Sequence, residues 1–298
     1  MLDALWDGFR RHDRLALARL LSLAARGEAI SSIPSPPKSS RVVAVTGSSG
    51  VGKSTLIGQL IEHLRGQGKT VAVLACDPQS PLSGGALLGD RFRMAGPHDD
   101  GVFIRSLATP GGHGAVAERL DLLIRLVESF GFDVIIVETV GAGQGDTAAR
   151  NLADVAVLLL QPESGDDLQW EKAGVLEVAD VIAVHKADLP GAEQTAAQVR
   201  ATLDVGRQSQ TPVLRVSSKT RAGLGELWQA IEACPLRRGP ESDSPTELLQ
   251  SLERELAARF AKAERSRPTD WSQAMAAWRS GEADAVARLL QLLADPEV

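Results

Sequence analysis

Two hydrophobic rhythms alternate along the chain between Arg41 and about Ala233. Short β-branched runs stand at Val42–Val45, Val71–Ala75, Val102–Ser106, Val134–Val137, Val155–Leu160, Val181–Val184 and Val213–Val216. Stretches with apolar residues at helical spacing separate them. Several of the runs are nearly continuous in apolar residues, which is the pattern of strands covered on both faces. Strand–helix alternation of this kind predicts an α/β fold, a mostly parallel sheet flanked by helices. The flanks of the chain read differently. Residues 2–26 follow a helical pattern, with Leu15, Leu17, Leu20, Leu21 and Leu23 on one broad face, and the Pro/Ser-rich segment Ser31–Ser40 follows it. A second linker, Arg237–Pro245, leads to a stripe of Leu248, Leu252, Leu256 and Phe260 at four-residue spacing. Two shorter helical patterns come after Ser266–Asp270. The expected organisation is an N-terminal helical extension over 1–30, a nucleotide-hydrolysing domain over 41–236, and a C-terminal helical region over 245–298 that serves dimerisation. The resemblance of Ala18–Ala24 to Ala287–Leu293 is shared leucine-rich composition and no repeat, because the flanking tryptophans do not align.

Composition narrows the function classes. A chain of 298 residues with 44% hydrophobic and 23% charged residues has the make-up of an ordinary globular protein with room for a buried core. Its formal charge of −6 makes it a poor binder of nucleic acid. Cys76 and Cys234 are far apart and in no C-x-x-C pattern, so neither a disulfide scaffold nor a zinc ribbon is expected. No uninterrupted apolar run approaches membrane-spanning length, and acidic residues precede the first apolar run, so neither a membrane span nor a signal peptide is expected. A reducing cytoplasm is the expected setting, without a membrane partner.

The run Gly47, Ser48, Ser49, Gly50, Val51, Gly52, Lys53, Ser54, Thr55 satisfies G-x-x-x-x-G-K-[ST] between a strand and a helix expected over Leu56–Leu64. Glycines let successive backbone N–H groups wrap phosphate oxygens, and the helix N-terminus adds its positive dipole end. Lys53 is placed to bridge the terminal phosphates and Ser54 to bind Mg²⁺. These features predict a P-loop NTPase. Three acids end or follow strands and are candidates for the metal and the chemistry: Asp77, Asp90 and Glu138. Each alone also reads as a helix cap or a solvated loop acid. Gly141, Gly143 and Gly145 suit a switch loop near the γ-phosphate. Within it, Gln144 reads either as a water-orienting residue or as an exposed structural glutamine.

The strand Val181–Val184 runs into His185, Lys186, Ala187 and Asp188. P-loop GTPases usually carry Asn-Lys-x-Asp here, with the aspartate accepting from guanine. Lys186 and Asp188 fit. His185 stands where asparagine is usual and either donates to the base, pins the loop or is merely structural. Ser217, Ser218 and Lys219, after the last strand, suit the companion loop over the base.

With these residues in place the chain resembles the MeaB/ArgK/MMAA family from about Arg11 to Ile231. The specific segments are GSSGVGKST, LACDPQSPLSGGALLGDRFRM, FDVIIVETVGAGQ and SGDDLQWEKAGVLEVADVIAVHKAD. The resemblance implies a GTPase using GTP/GDP and Mg²⁺, with Lys53, Asp90, Glu138 and Gln144 in hydrolysis and Ser54, Asp77, Asp90 and Glu138 around the metal. It implies guanine reading by Asp188, a chaperone role toward adenosylcobalamin-dependent acyl-CoA mutases (chiefly methylmalonyl-CoA mutase), contact with the mutase's adenosyltransferase, and a homodimer. Asp166, Asp167, Gln169 and Lys172 match a loop that communicates with the mutase in that family. Ser49, the loop Leu107–Gly114, Ala173 and His185 depart from the family pattern and point to a divergent member. Two other readings stand beside it: a nickel-insertion GTPase of the hydrogenase or urease maturation type, and a nucleotide-switched structural dimer. The first needs clustered His/Cys ligands, whereas His12, His63, His98, His113 and His185 are dispersed.

Overall fold

The computed structural model describes residues 2–26, 28, 30, 33–78, 100–109, 119–139, 150–162, 176, 179–205, 210–237, 256, 259–260, 263–282 and 284–294, with backbone alone at 76–78 and 108–109. The chain divides into two compact units, Met1–Gly239 and Pro240–Val298.

Among the described residues of the first unit the helices are α1 (Leu2–Arg10), α2 (Arg14–Arg26), α3 (Lys53–Gly66), α4 (Leu120–Phe130), α5 (Ala192–Val205) and α6 (Leu224–Ala233). The strands are β1 (Arg41–Gly47), β2 (Val71–Pro78), β3 (Val102–Thr109), β4 (Val134–Glu138), β5 (Val155–Leu160), β6 (Val181–Val184) and β7 (Val213–Arg215). Among the described residues these strands form one parallel sheet in the order β3-β2-β4-β1-β5-β6-β7. The seven apolar runs of the sequence are the seven strands, and the α/β P-loop NTPase fold follows from them.

Alternate residues of each strand serve opposite layers, as a two-residue side-chain period requires. Val43, Val45, Val73 and Ile136 face Leu56, Ile57 and Leu60 of α3 and Leu227 and Trp228 of α6. Val42, Ala44, Leu74, Ile135 and Val137 face α1, α2 and α4 through Trp6, Phe9, Leu17, Leu20, Leu21, Leu123, Ile124 and Val127. A third cluster joins Leu158, Ile182 and Val184 to Ala196, Val199 and Leu203 of α5. The N-terminal helices therefore complete one face of the sheet. Their continuous helical pattern is interrupted: His12 adopts φ 58, and α2 starts afresh after Asp13, whose Oδ1 accepts from the Leu15 N–H at 2.8 Å. The bend turns Leu15 to solvent (58% exposed) while Leu17, Leu20 and Leu21 are fully buried.

Polar ties fix the amino ends of the strands. Arg41 Nη1 donates to the carbonyls of Ile231 (3.0 Å) and Cys234 (2.9 Å), placing a cation at the negative end of α6. Asp133, just before β4, accepts from the N–H and hydroxyl of Thr70, each at 2.7 Å, and from Lys38. Burial pushes the Asp133 carboxyl up, but the bonds from Lys38 and Thr70 outweigh it and hold it at about 2.

The second unit contains α7 (Pro268–Arg279) and α8 (Ala285–Ala294). Pro268 opens α7, where its missing N–H costs nothing. Phe260 and Trp271 meet edge to face at 5.3 Å, beside buried Ala263 and Leu293. Of the predicted stripe, Leu256 and Phe260 are helical, while Leu248 and Leu252 lie outside the described residues. Trp278, Val286 and Leu290 are more than half exposed.

Candidate functional site

β1 is central in the sheet, with β4 on one side and β5 on the other, and the chain leaves its carboxyl end into the Gly47–Gly52 loop and α3. In open α/β sheets this edge is where ligands bind. Gly47 sits at φ 145, and a Cβ there would fall 2.6 Å from the Leu159 carbonyl oxygen, so the loop leaves the sheet too tightly for any side chain. Gly52, at φ 99, caps α3, which starts at Lys53, three residues earlier than its apolar pattern indicates. Lys53 Nζ turns back to donate to the carbonyls of Gly47 (2.8 Å) and Ser48 (3.2 Å). Ser48, Ser49, Gly50 and Thr55 are exposed, whereas Lys53 and Ser54 are buried.

Glu138 comes from the neighbouring strand. The register sets it opposite Val45 on β1 and Ala75 on β2. Its Oε1 accepts from the Ser54 hydroxyl at 2.8 Å, and both residues are buried. A hydroxyl and a carboxylate side by side are hard oxygen donors, the set that suits Mg²⁺. The backbone of Asp77 lies two residues beyond Ala75 on β2, paired with Ala108. Asp90, Gln144, Asp166, Asp167, Gln169 and Lys172 lie outside the described residues.

The opposite end of the site gathers β6, β7 and the phosphate loop. The His185 carboxyl-end position of β6 is fixed by its N–H, which donates to the Leu160 carbonyl at 2.8 Å. Its ring is buried, with Nδ1 2.8 Å from the Val51 carbonyl oxygen and Nε2 2.7 Å from the Ser218 hydroxyl. A carbonyl only accepts, so Nδ1 carries the hydrogen; in the neutral ring Nε2 then accepts from Ser218. Both nitrogens are engaged within the protein, the arrangement that pinning, one of the roles open to His185 in the sequence, requires. Burial pushes the imidazole pKa down, and neighbouring Lys186 adds to this, against the opposing Val51 and Asp188.

Lys186, at φ 56, reaches across the phosphate loop, donating to Gln161 Oε1 (3.0 Å) and to the Gly50 carbonyl (3.4 Å). Gln161 was not among the residues the sequence singled out; a lone polar side chain right after the apolar run of β5 is the signal that would have found it. Asp188 Oδ1 accepts from the buried Ser217 hydroxyl at 2.6 Å, and this bond above all holds its carboxyl below the usual range. Lys219 Nζ stands 4.0 Å from Asp188 Oδ2. Among the described residues no group of three or more His, Cys, Asp or Glu is placed to hold a metal, and no helix is long and apolar enough to cross a membrane.

A phosphate loop at the central strand's carboxyl end, a buried carboxylate bonded to its serine, and a Lys-x-Asp loop tied to it define a P-loop nucleoside triphosphatase. Residues 26–236 match the family described as methylmalonyl Co-A mutase-associated GTPase MeaB. The chain belongs to that family and is a GTPase. It is 39% identical over 243 residues to a protein of Pyrococcus horikoshii named as a GTPase, covering 78% of this chain and 77% of that one. To the methylmalonic aciduria type A homolog of Mus musculus, a mitochondrial protein, it is 38% identical over 197 residues, which is 63% of this chain and 48% of that one. The crystal structure titled LAO/AO transport system kinase shares the fold at a TM-score of 0.65 and 24% identity, over 98% of this chain and 96% of that one.

Proposed function

We propose that this GTPase is the nucleotide-driven chaperone of an adenosylcobalamin-dependent acyl-CoA mutase, assisting the loading and protection of that cofactor. The observation that carries the reading is the match over residues 26–236 to a mutase-associated GTPase family, a span that contains the whole described nucleotide site.

In this reading the backbone of Gly47–Gly52 and the side chains of Lys53, Ser54 and Thr55 hold the phosphates. Lys53 exchanges its loop carbonyls for phosphate oxygens, and Asp188, oriented by Ser217, accepts from the guanine edge under the Ser217–Lys219 loop. Ser54, Glu138, Asp77 and Asp90 would hold Mg²⁺, which when bound neutralises charge on the β- and γ-phosphate oxygens. Asp90 and Gln144 act near the γ-phosphate, and Asp166, Asp167, Gln169 and Lys172 carry the nucleotide state to the mutase or its adenosyltransferase. Residues 41–236 form the GTPase domain, preceded by a helical segment over 1–30. Residues 245–298 pair two chains into a homodimer. The exposed apolar side chains Trp278, Val286 and Leu290 of this unit support that reading.

The test is GTP turnover by the purified protein with and without a methylmalonyl-CoA mutase, together with co-elution of the two in the presence of a non-hydrolysable GTP analogue. Unchanged turnover and separate elution from that mutase and from related acyl-CoA mutases would remove the chaperone role while leaving the GTPase intact. Light scattering at micromolar concentration tests the dimer, and a monomeric mass overturns it.

A further inference from the structure

We infer that His185 is a positioning residue that clasps the phosphate loop to the base-side loop, and that this clasp holds guanine nucleotide only while the imidazole is neutral. The inference rests on the nucleotide site proposed above.

The ring joins two segments that no sheet hydrogen bond connects. Val51 belongs to the loop that precedes α3, and Ser218 to the loop that follows β7. The ring fills the space between them so closely that a Cβ on Gly52 would lie 2.6 Å from both Cε1 and Nδ1. The last glycine of the phosphate-loop motif is thus tied to His185 as well as to its own φ of 99. Directly after the ring come Lys186, which also donates to the phosphate loop, and Asp188, which Ser217 orients. A shift of the ring therefore moves both the phosphate loop and the Asp188 loop.

Hydrogen-bond counting alone does not forbid a charged ring, because Ser218 can turn its hydroxyl to accept from Nε2–H. Burial and charge decide it. The ring is 3% exposed. The charged groups that act on it are Lys186, which repels a cation, and Asp188, which attracts one; the atoms packed on it from Val51, Gly52 and Ser218 are uncharged. The balance lowers the ring's pKa below 6.5, with desolvation the largest cause. A group whose pKa is depressed in the closed site contributes its tie in full above its ordinary pKa and loses it as pH falls through the depressed value. The clasp therefore loosens in acid.

The experiment measures dissociation of fluorescently labelled GDP from the full chain between pH 7.5 and 5.0, with circular dichroism at each pH to confirm folding. The wild-type protein is expected to release GDP about three- to tenfold faster at pH 5.5 than at 7.5, the worth of one hydrogen bond. His185→Asn, whose amide nitrogen takes the place of Nδ1 toward Val51, does not reach Ser218 and does not titrate; it is expected to release GDP somewhat faster than wild type at pH 7.5 and to flatten the pH profile. His185→Ala is expected to release GDP quickly at every pH. If His185→Asn keeps the wild-type pH slope, or if wild-type release is flat over this range, the inference is overturned. Failure of the wild-type protein to bind GDP at pH 7.5 would instead overturn the nucleotide site itself.

Discussion

The two ends of the nucleotide site hold the same loop by different means. At the phosphate end Lys53 bonds to carbonyls five and six residues away, and one long tie, from Glu138 to Ser54, 84 residues earlier, is delivered by a strand adjacent to β1. At the base end the ties span the unit. His185 joins Val51, 134 residues earlier, to Ser218, 33 residues later, and Asp188 is oriented by Ser217, 29 residues on. The phosphate end therefore depends on a short motif and one adjacent strand, whereas the base end depends on β1, β6 and β7 being correctly placed together. Substitutions at the two ends should separate accordingly, turnover failing at one and retention or selectivity at the other.

The largest effect is expected at the phosphate end. Lys53→Ala should reduce GTP turnover by at least about a hundredfold, because developing phosphate charge loses its buried cation; phosphate release under saturating GTP measures it. Turnover close to wild type would remove Lys53 from the chemistry. Next, Asp188→Ala should leave ATP affinity nearly unchanged and cut the preference for GTP over ATP by about ten- to a hundredfold, the cost of an unpaired guanine edge. Titration calorimetry with both nucleotides reads that ratio, and equal losses for both would transfer guanine reading elsewhere.

Gly52→Ala probes the point where the two ends touch. The positive φ and the His185 contact together should weaken GDP binding by about 1–3 kcal/mol. His185→Ala should cost less GDP affinity in this background than in wild type, because there it also relieves the contact with the added Cβ; strict additivity in the double-mutant cycle would show that the ring and Gly52 act independently. The smallest effect on nucleotide is expected at Asp133, far from either end. Asp133→Asn should cost about 1 kcal/mol of stability at pH 7, allowing for the carboxylate's partial exposure, with nucleotide affinity unchanged. Since the folded-state pKa of about 2 lies below the ordinary 3.8, the wild-type advantage is full above the ordinary value and disappears as pH falls toward 2. Denaturant melts at pH 7 and pH 2.5 would show the two proteins converging in acid.

Local pattern alone settled the seven strands, the phosphate loop and the presence of a helix behind it, though not the residue at which that helix starts. Each is written in contiguous residues: continuous apolar runs for doubly covered strands, and glycines followed by lysine and serine for the loop. Two things were not written locally, one at the N-terminus and one after β6. The periodicity of residues 2–26 is nearly unbroken, yet the chain bends at His12 so that Trp6, Phe9, Leu17 and Leu21 can all reach the same sheet face. Likewise a histidine after β6 reads equally as base donor, pin or bystander. Only the approach of Val51 and Ser218 from distant parts of the chain engages both its nitrogens, and the pinning inferred above rests on that approach. The identity of a strand or a phosphate loop depends on neighbours in sequence. The role of a buried polar side chain depends on which partners the folded backbone brings within hydrogen-bonding distance, and that is decided by tertiary structure.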